Sequence, residues 1–149
     1  MTLPLTPLMV LAVSVGEPVT VDPGDHGRRF IPITGGTVSG GLTGKVLNGG
    51  GDWQTLLPNG NLEIRAHYII DIDGHGTIEV HSEGVRAGRP EILARLAQGE
   101  DIDPSEYYFR TSMRFHTAAP ELERLNAVLA VAHGRRQGQS VLLNVLEIG

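Results

Sequence analysis

Asn59-Gly60-Asn61-Leu62-Glu63-Ile64-Arg65-Ala66-His67-Tyr68-Ile69-Ile70-Asp71-Ile72-Asp73-Gly74-His75-Gly76-Thr77-Ile78-Glu79-Val80-His81-Ser82-Glu83 is the stretch that decides the fold. Successive side chains of a strand point to opposite faces. Leu62, Ile64, Ala66, Tyr68, Ile70 and Ile72 therefore share one face. Glu63, Arg65, His67 and Asp71 share the other with Ile69. Asn59-Gly60 marks the turn before this strand. Asp73-Gly74-His75-Gly76 is a hairpin turn, and residues 77–83 return with Ile78, Val80 and Ser82 on one side.

The same reading extends in both directions. Residues 9–15 read as a buried strand ended by the turn signal Gly16-Glu17-Pro18, and residues 19–21 extend the pairing. A loop over 22–27 and a strand over 29–33 lead into a glycine-rich segment. There Val38, Gly40, Leu42, Gly44 and Val46 alternate at strand period. Residues 89–98 are the clearest helix: Pro90 suits the first position, Glu91 the positive end of the dipole and Gly99 the C-terminal cap. An acidic turn over 101–106 precedes a long strand, 107–117. Residues 120–126 read as one or two helical turns. The last strands are 128–133 and 141–148, joined by a loop over 134–139. Short strands at close spacing with one intervening helix indicate an antiparallel sandwich or barrel. A chain of 149 residues with no repeat or linker reads as one domain, 1–149.

Composition narrows the function classes. Forty percent hydrophobic and 19% charged residues describe a globular chain rather than a disordered one. A net charge of −5 disfavours a nucleic-acid binder, which would carry a basic face. Arg28-Arg29 and Arg135-Arg136 read as isolated, solvated loop pairs. The chain has no cysteine, which excludes disulfides, thiolate metal sites and cysteine nucleophiles. The apolar N-terminal run is short, interrupted by Pro4 and Pro7 and preceded by no basic leader, so the expectation is a cytoplasmic protein with no membrane partner.

Residues 34–53, Thr-Gly-Gly-Thr-Val-Ser-Gly-Gly-Leu-Thr-Gly-Lys-Val-Leu-Asn-Gly-Gly-Gly-Asp-Trp, carry eight glycines between Gly35 and Gly51 and end on an acid beside the only tryptophan. Such density suits bends and close backbone approach. It is not a nucleotide cradle: Gly44-Lys45 is followed by Val46 rather than Ser or Thr. The glycines do not lead from a strand into a helix, and no Gly-x-Ser-x-Gly elbow occurs.

Taken in order, Pro32-Ile33-Thr34-Gly35-Gly36, Gly49-Gly50-Gly51-Asp52-Trp53, Ala66-His67-Tyr68, Tyr108-Phe109-Arg110, Phe115 with Thr117, Leu125-Asn126 and the terminal Val145-Leu146-Glu147-Ile148 resemble the DUF3237 (UPF0311) family over almost the full length. The resemblance implies an all-β, mainly antiparallel fold: a single small barrel with one short helix, akin to allene-oxide-cyclase and dirigent barrels. It also implies a link to catabolism of lignin-derived phenolics, where some members carry out a decarboxylating lyase step. Relatives are expected to carry Arg at the position of His67 and an acid at that of His116.

Several residues are candidates for chemistry. Asp52, set against Trp53 in a partly dry cleft, would have a raised pKa and serve as general acid or base; the plainer reading is a turn-fixing carboxylate. Tyr68 faces inward with Ala66 leaving room beside it, so its phenol could donate to a substrate oxygen or be an ordinary core tyrosine. Arg110 could clamp a carboxylate or bridge to Asp103 or Glu106. Arg65 is a weaker candidate, since its face carries Glu63. Trp53, Tyr108 and Phe115 could wall an aromatic pocket or be barrel core. His67 replaces Tyr68 as the pocket residue if the opposite strand face lines the interior. Asn126 is expected to bond a buried backbone group rather than a ligand. His67, His81 and His116 could ligate zinc if they converged, but their charged neighbours point to the exterior, so no metal is expected.

These readings lead to a cofactor-independent lyase or isomerase, decarboxylation included, acting on a small phenolic or aromatic metabolite. The alternatives are a non-catalytic aromatic-ligand barrel and a structural module. A homo-oligomer is expected in each case, because an incompletely closed barrel leaves edges to cover.

Overall fold

Strand alternation builds the barrel wall. The computed structural model describes Met1–Gly149. β6 (Leu62–Ile72) and β7 (Gly76–Gly88) pair in unbroken register from Leu62 opposite Arg86 to Ile72 opposite Gly76. Tyr68 lies across from Val80 and Ala66 from Ser82, so inward residues meet inward residues. β8 (Tyr107–Thr117), β9 (Ala130–Gln137) and β10 (Ser140–Ile148) follow as neighbours, and β10 pairs with β1 (Leu5–Val15). β1 then pairs with β3 (Gly27–Ser39) and closes the ring. β2 (Val19–Asp22) pairs with β3 further along the same strand, where β1 has ended. β4 (Gly44–Val46) and β5 (Gly50–Leu56) together fill the gap between β3 and β6. The result is a closed eight-strand antiparallel barrel with two extra strands. Closure pairs both edges of β1 and leaves the short β2, which pairs with β3 alone, with a free outer edge.

Fully buried Met9, Leu11, Ile70, Ile78, Met113 and Val145 belong to one hydrophobic cluster in the barrel interior. Each buried aliphatic side chain contributes about 1.5–3 kcal/mol. A 3-10 segment, Pro120–Ala127, packs on β8 and adds Leu122 and Leu125 to this core. Helix α1 (Pro90–Ala97) follows β7, with Pro90 in its first turn, Ile92, Leu93 and Leu96 buried, and Gly99 beyond its end at φ 86°.

Three differences from the expected elements bear on the site. β7 continues past Glu83 to Gly88, and β9 continues through Gly134–Gln137, which reads as loop from composition. Their ladders extend the alternation and turn Arg86 and Arg136 inward. Residues 38–46 form a hairpin, not one alternating strand: Gly40, at φ 92°, turns the chain between β3 and β4. Pro7 sits where the β1 register shifts, a position that tolerates a missing N–H.

Candidate functional site

The half of the barrel next to α1 is hollow. Its cavity of about 380 Å³ is walled by Val13, Ile31, Ile33, Ile64, Phe109 and Leu143, among others, and bordered by Ala97 and the Gly16-Glu17-Pro18 turn. Asp52, Gln54, Tyr68, Ser82, Thr111 and the arginines Arg29, Arg86 and Arg136 supply its polar lining.

Asp52 reaches this space because of the glycines before it. The Gly51 Cα lies under the Phe30 ring, leaving no room for a side chain. With the backbone so placed, β5 sends Asp52 and Gln54 inward and Trp53 outward. The carboxylate is held at both oxygens: Oδ1 accepts from the Arg65 backbone N–H at 3.0 Å and Oδ2 from Gln54 Nε2 at 2.8 Å. Arg29 Nε in turn donates to Gln54 Oε1 at 2.8 Å. Burial pushes the Asp52 carboxyl above its ordinary range, opposed by Gln54, the Arg65 N–H and the charges of Arg29 and Arg86. The shift expected from the sequence is therefore present in direction, but its cause is the barrel interior and not the indole.

Tyr68 is 3% exposed, and its hydroxyl has no hydrogen-bond partner. Burial, with the Asp52 charge second, raises its pKa, so the phenol stays protonated and available as a donor. Thr111 Oγ1 and Arg86 Nε are likewise buried without partners. Burial and the nearby Arg136 and Arg29 charges lower Arg86 to about 10. Arg136 is anchored at the rim, its Nε donating to Gly138 O at 2.9 Å and its backbone N–H to Tyr107 Oη at 3.0 Å.

The structure brings Asp52 and Tyr68 into one cavity and places the other candidates elsewhere. Arg110 lies on the outer face of β8, donates to Phe109 O at 2.9 Å and stands 5.0 Å from the Tyr108 ring centre. Tyr108 is 55% exposed. Trp53 is on the outer wall, tilted against Phe30 with ring centres 4.6 Å apart. Arg65 is exposed and reaches Glu83 at 3.6 Å. Phe115 is buried in the packed core and does not line the cavity. Asn126 serves the backbone: Oδ1 accepts from Thr117 N–H, and Nδ2 donates to Thr117 O and Glu123 O.

His67 stacks on His81 outside the barrel, ring centres 4.1 Å apart, and both reach Glu79. The donor atoms of these three residues lie within 4.8 Å of one another, so they could hold a divalent cation at the surface. His116 is opposite Glu79 in the ladder.

The cavity arginines and Thr111 were not candidates on sequence grounds. Arg28-Arg29 and Arg135-Arg136 read there as solvated pairs, yet the second member of each lines the cavity. The signal was parity: Arg29 is in step with Ile31 and Ile33, Arg86 with Ile78, Val80 and Ser82, and Arg136 with Ala130 and Ala132.

A protein family described as "Protein of unknown function (DUF3237)" matches residues 3–148. The chain belongs to the DUF3237 family. A UPF0311 protein of Bradyrhizobium diazoefficiens is 35% identical over 142 residues, covering 95% of this chain and 93% of that protein. A conserved protein of unknown function from Rhodopseudomonas palustris has a solved structure with a TM-score of 0.94 at 33% identity, covering 100% of this chain and 99% of its own. A beta-barrel like protein from Acinetobacter baumannii superposes with a TM-score of 0.86 at 35% identity, covering 100% and 98%. The DUF3237 fold reaches further: an enzyme from Penicillium herquei has a TM-score of 0.74 at 19% identity, covering 100% and 96%, a likeness of fold alone.

Proposed function

We propose that the cavity binds a small aromatic acid and catalyses proton transfer on it without a cofactor, as a lyase or isomerase. One observation carries this reading: a half-buried carboxylate with a raised pKa and a buried, unpartnered phenol, Asp52 and Tyr68, line the same apolar-walled chamber. The aromatic body packs on Phe109, Ile33 and Ile64. Arg86 takes the acid group that Arg110 was expected to hold. Asp52 removes a proton next to a conjugated carbonyl, and the electron pair shifts onto oxygen. Tyr68 donates a hydrogen bond to that oxygen, an interaction strengthened by the dry surroundings. The proton returns from Asp52 at another carbon in an isomerase; in a lyase a leaving group on the neighbouring carbon departs with its bonding pair as the carbonyl re-forms. In a decarboxylation no proton is removed first: the departing carbon dioxide leaves its bonding pair to the conjugated carbonyl, and protonated Asp52 delivers the proton to that carbon.

A binding barrel without turnover is the second reading. It is favoured by the engagement of both Asp52 oxygens, which suits a carboxylate that merely braces Gln54 and Arg29. Product analysis by mass spectrometry after incubation with a panel of hydroxycinnamates and other phenolic acids separates the two. Catalysis predicts conversion by the wild type and a loss of about 10²-fold or more in Asp52→Asn and Tyr68→Phe. Saturable binding with no product from any bound acid establishes the second reading.

A further inference from the structure

We propose that the natural ligand of the chamber is a dianion, an apolar or aromatic body carrying two carboxylates or one phosphate monoester, seated among Arg29, Arg86 and Arg136. The inference rests on the reading that this chamber is the ligand site, and is independent of whether chemistry follows.

Charge is the first argument. Three arginines line the cavity against one enclosed acid, Asp52; the other lining acid, Glu17, is exposed in the turn at the cavity border. No carboxylate oxygen lies within ion-pair distance of Arg29, Arg86 or Arg136, whereas Arg65, Arg89, Arg95, Arg124 and Arg135, outside the cavity, each form such a pair. Arg86 is buried and Arg29 and Arg136 are half-buried, and an enclosed cation without a counter-charge is costly. The surplus over Asp52 is two positive charges. A monoanion leaves one of them uncompensated, and a dianion balances the site.

Hydrogen bonding is the second. Arg86 Nε, Tyr68 Oη and Thr111 Oγ1 are buried and without partners, and all three residues line this cavity. Arg86 is 6% exposed, Tyr68 3% and Thr111 5%. Each can donate, so together they call for oxygen acceptors, and buried donors left unpaired are uncommon in native proteins. Arg29 and Arg136 are positioned in advance, by Gln54 and by Gly138 O. Guanidinium donors match the geometry of both carboxylate and phosphate.

Shape is the third. The arginines come from β3, β7 and β9, so they approach from separate parts of the wall. Phe109, Ile33, Ile64 and Leu143 leave an apolar surface for the ligand body. A volume of about 380 Å³ lies within the usual range for small-ligand pockets.

Calorimetric titration of the full chain at low salt and pH near 7.5 tests this with four probes: benzoate, isophthalate, terephthalate and phenyl phosphate. At least one dianion should bind about tenfold or more tightly than benzoate, equivalent to one charge-assisted contact. Arg136→Gln or Arg29→Gln, each with its melting curve as a folding control, should erase that preference while benzoate binding survives. Asp52→Asn should strengthen dianion binding by removing the one enclosed negative charge. A phenyl phosphate advantage assigns the phosphate source and a phthalate advantage the dicarboxylate source. Equal affinity for benzoate and every dianion overturns this inference alone. Absence of binding by all four probes overturns it together with the assignment of the chamber as a ligand site.

Discussion

Gly50 lies against Tyr68: a Cβ placed on the glycine would stand 2.5 Å from the tyrosine Cβ. This contact links the glycine-rich segment to the candidate site. The backbone of β5 approaches β6 closely enough that only hydrogen fits, and that approach sets both Tyr68 and the following Asp52 in the wall of the chamber. Gly50→Ala should push the β5 backbone and Tyr68 apart. We expect destabilisation of about 1–3 kcal/mol, the usual cost of overpacking, and weakened binding of aromatic acids. Chemical denaturation with a binding assay on the same sample checks both.

Arg86→Met should make the protein more stable and a poorer binder. The native arginine carries an enclosed charge with an unpartnered Nε, and an unbranched apolar side chain of similar length removes that burden. A gain of about 1–3 kcal/mol is expected, the pattern of a site that trades stability for function. Urea unfolding reads the gain; loss of stability in Arg86→Met would mean that the charge is compensated within the protein.

Asp52 gives stability a pH dependence of defined sign. Its native pKa is raised from 3.8, so between that value and the higher native one the folded chain binds more protons than the unfolded chain. Stability contributed by this group is present below the ordinary value and lost as pH rises through the native one. The stability of the wild type minus that of Asp52→Asn should therefore fall as pH increases across this window. Denaturation at a series of pH values measures the slope; a rising difference would show that the carboxylate is held below its ordinary range.

Residues outside the chamber should separate from those within it. Asn126→Ala removes three backbone hydrogen bonds, at a cost of about 1–3 kcal/mol, while Arg110→Ala removes an outer-wall contact with Tyr108. Neither should change ligand affinity more than about twofold, since surface changes at a distance act weakly. Titration with the best-binding aromatic acid tests this, and a tenfold loss in Arg110→Ala would return that residue to the site.

The all-β architecture was legible from alternation. Leu62 to Ile72 announces one buried face, and the structure buries Leu62, Ile64, Tyr68, Ile70 and Ile72. Tyr107–Thr117 likewise runs as expected. What composition hid was where alternation continues through charged and glycine-rich sequence. Arg86 and Arg136 look like surface residues because arginine is rarely enclosed, and only the ladders pairing Arg86 with Leu62 and Arg136 with Val141 turn them inward. Asp52 and Trp53 misled in the opposite sense: sequence neighbours on a strand face opposite ways, so the acid enters the chamber and the indole does not. Arg110 failed as a cavity residue by the same parity, being out of step with buried Phe109 and Thr111.

The account turns on Asp52 moving a proton inside the chamber. Its most direct test is the comparison of kcat and Kd between wild type and Asp52→Asn on an aromatic acid that the wild type converts. The account predicts that kcat falls by about 10²-fold or more while the acid still binds. Turnover by Asp52→Asn at the wild-type rate would contradict it.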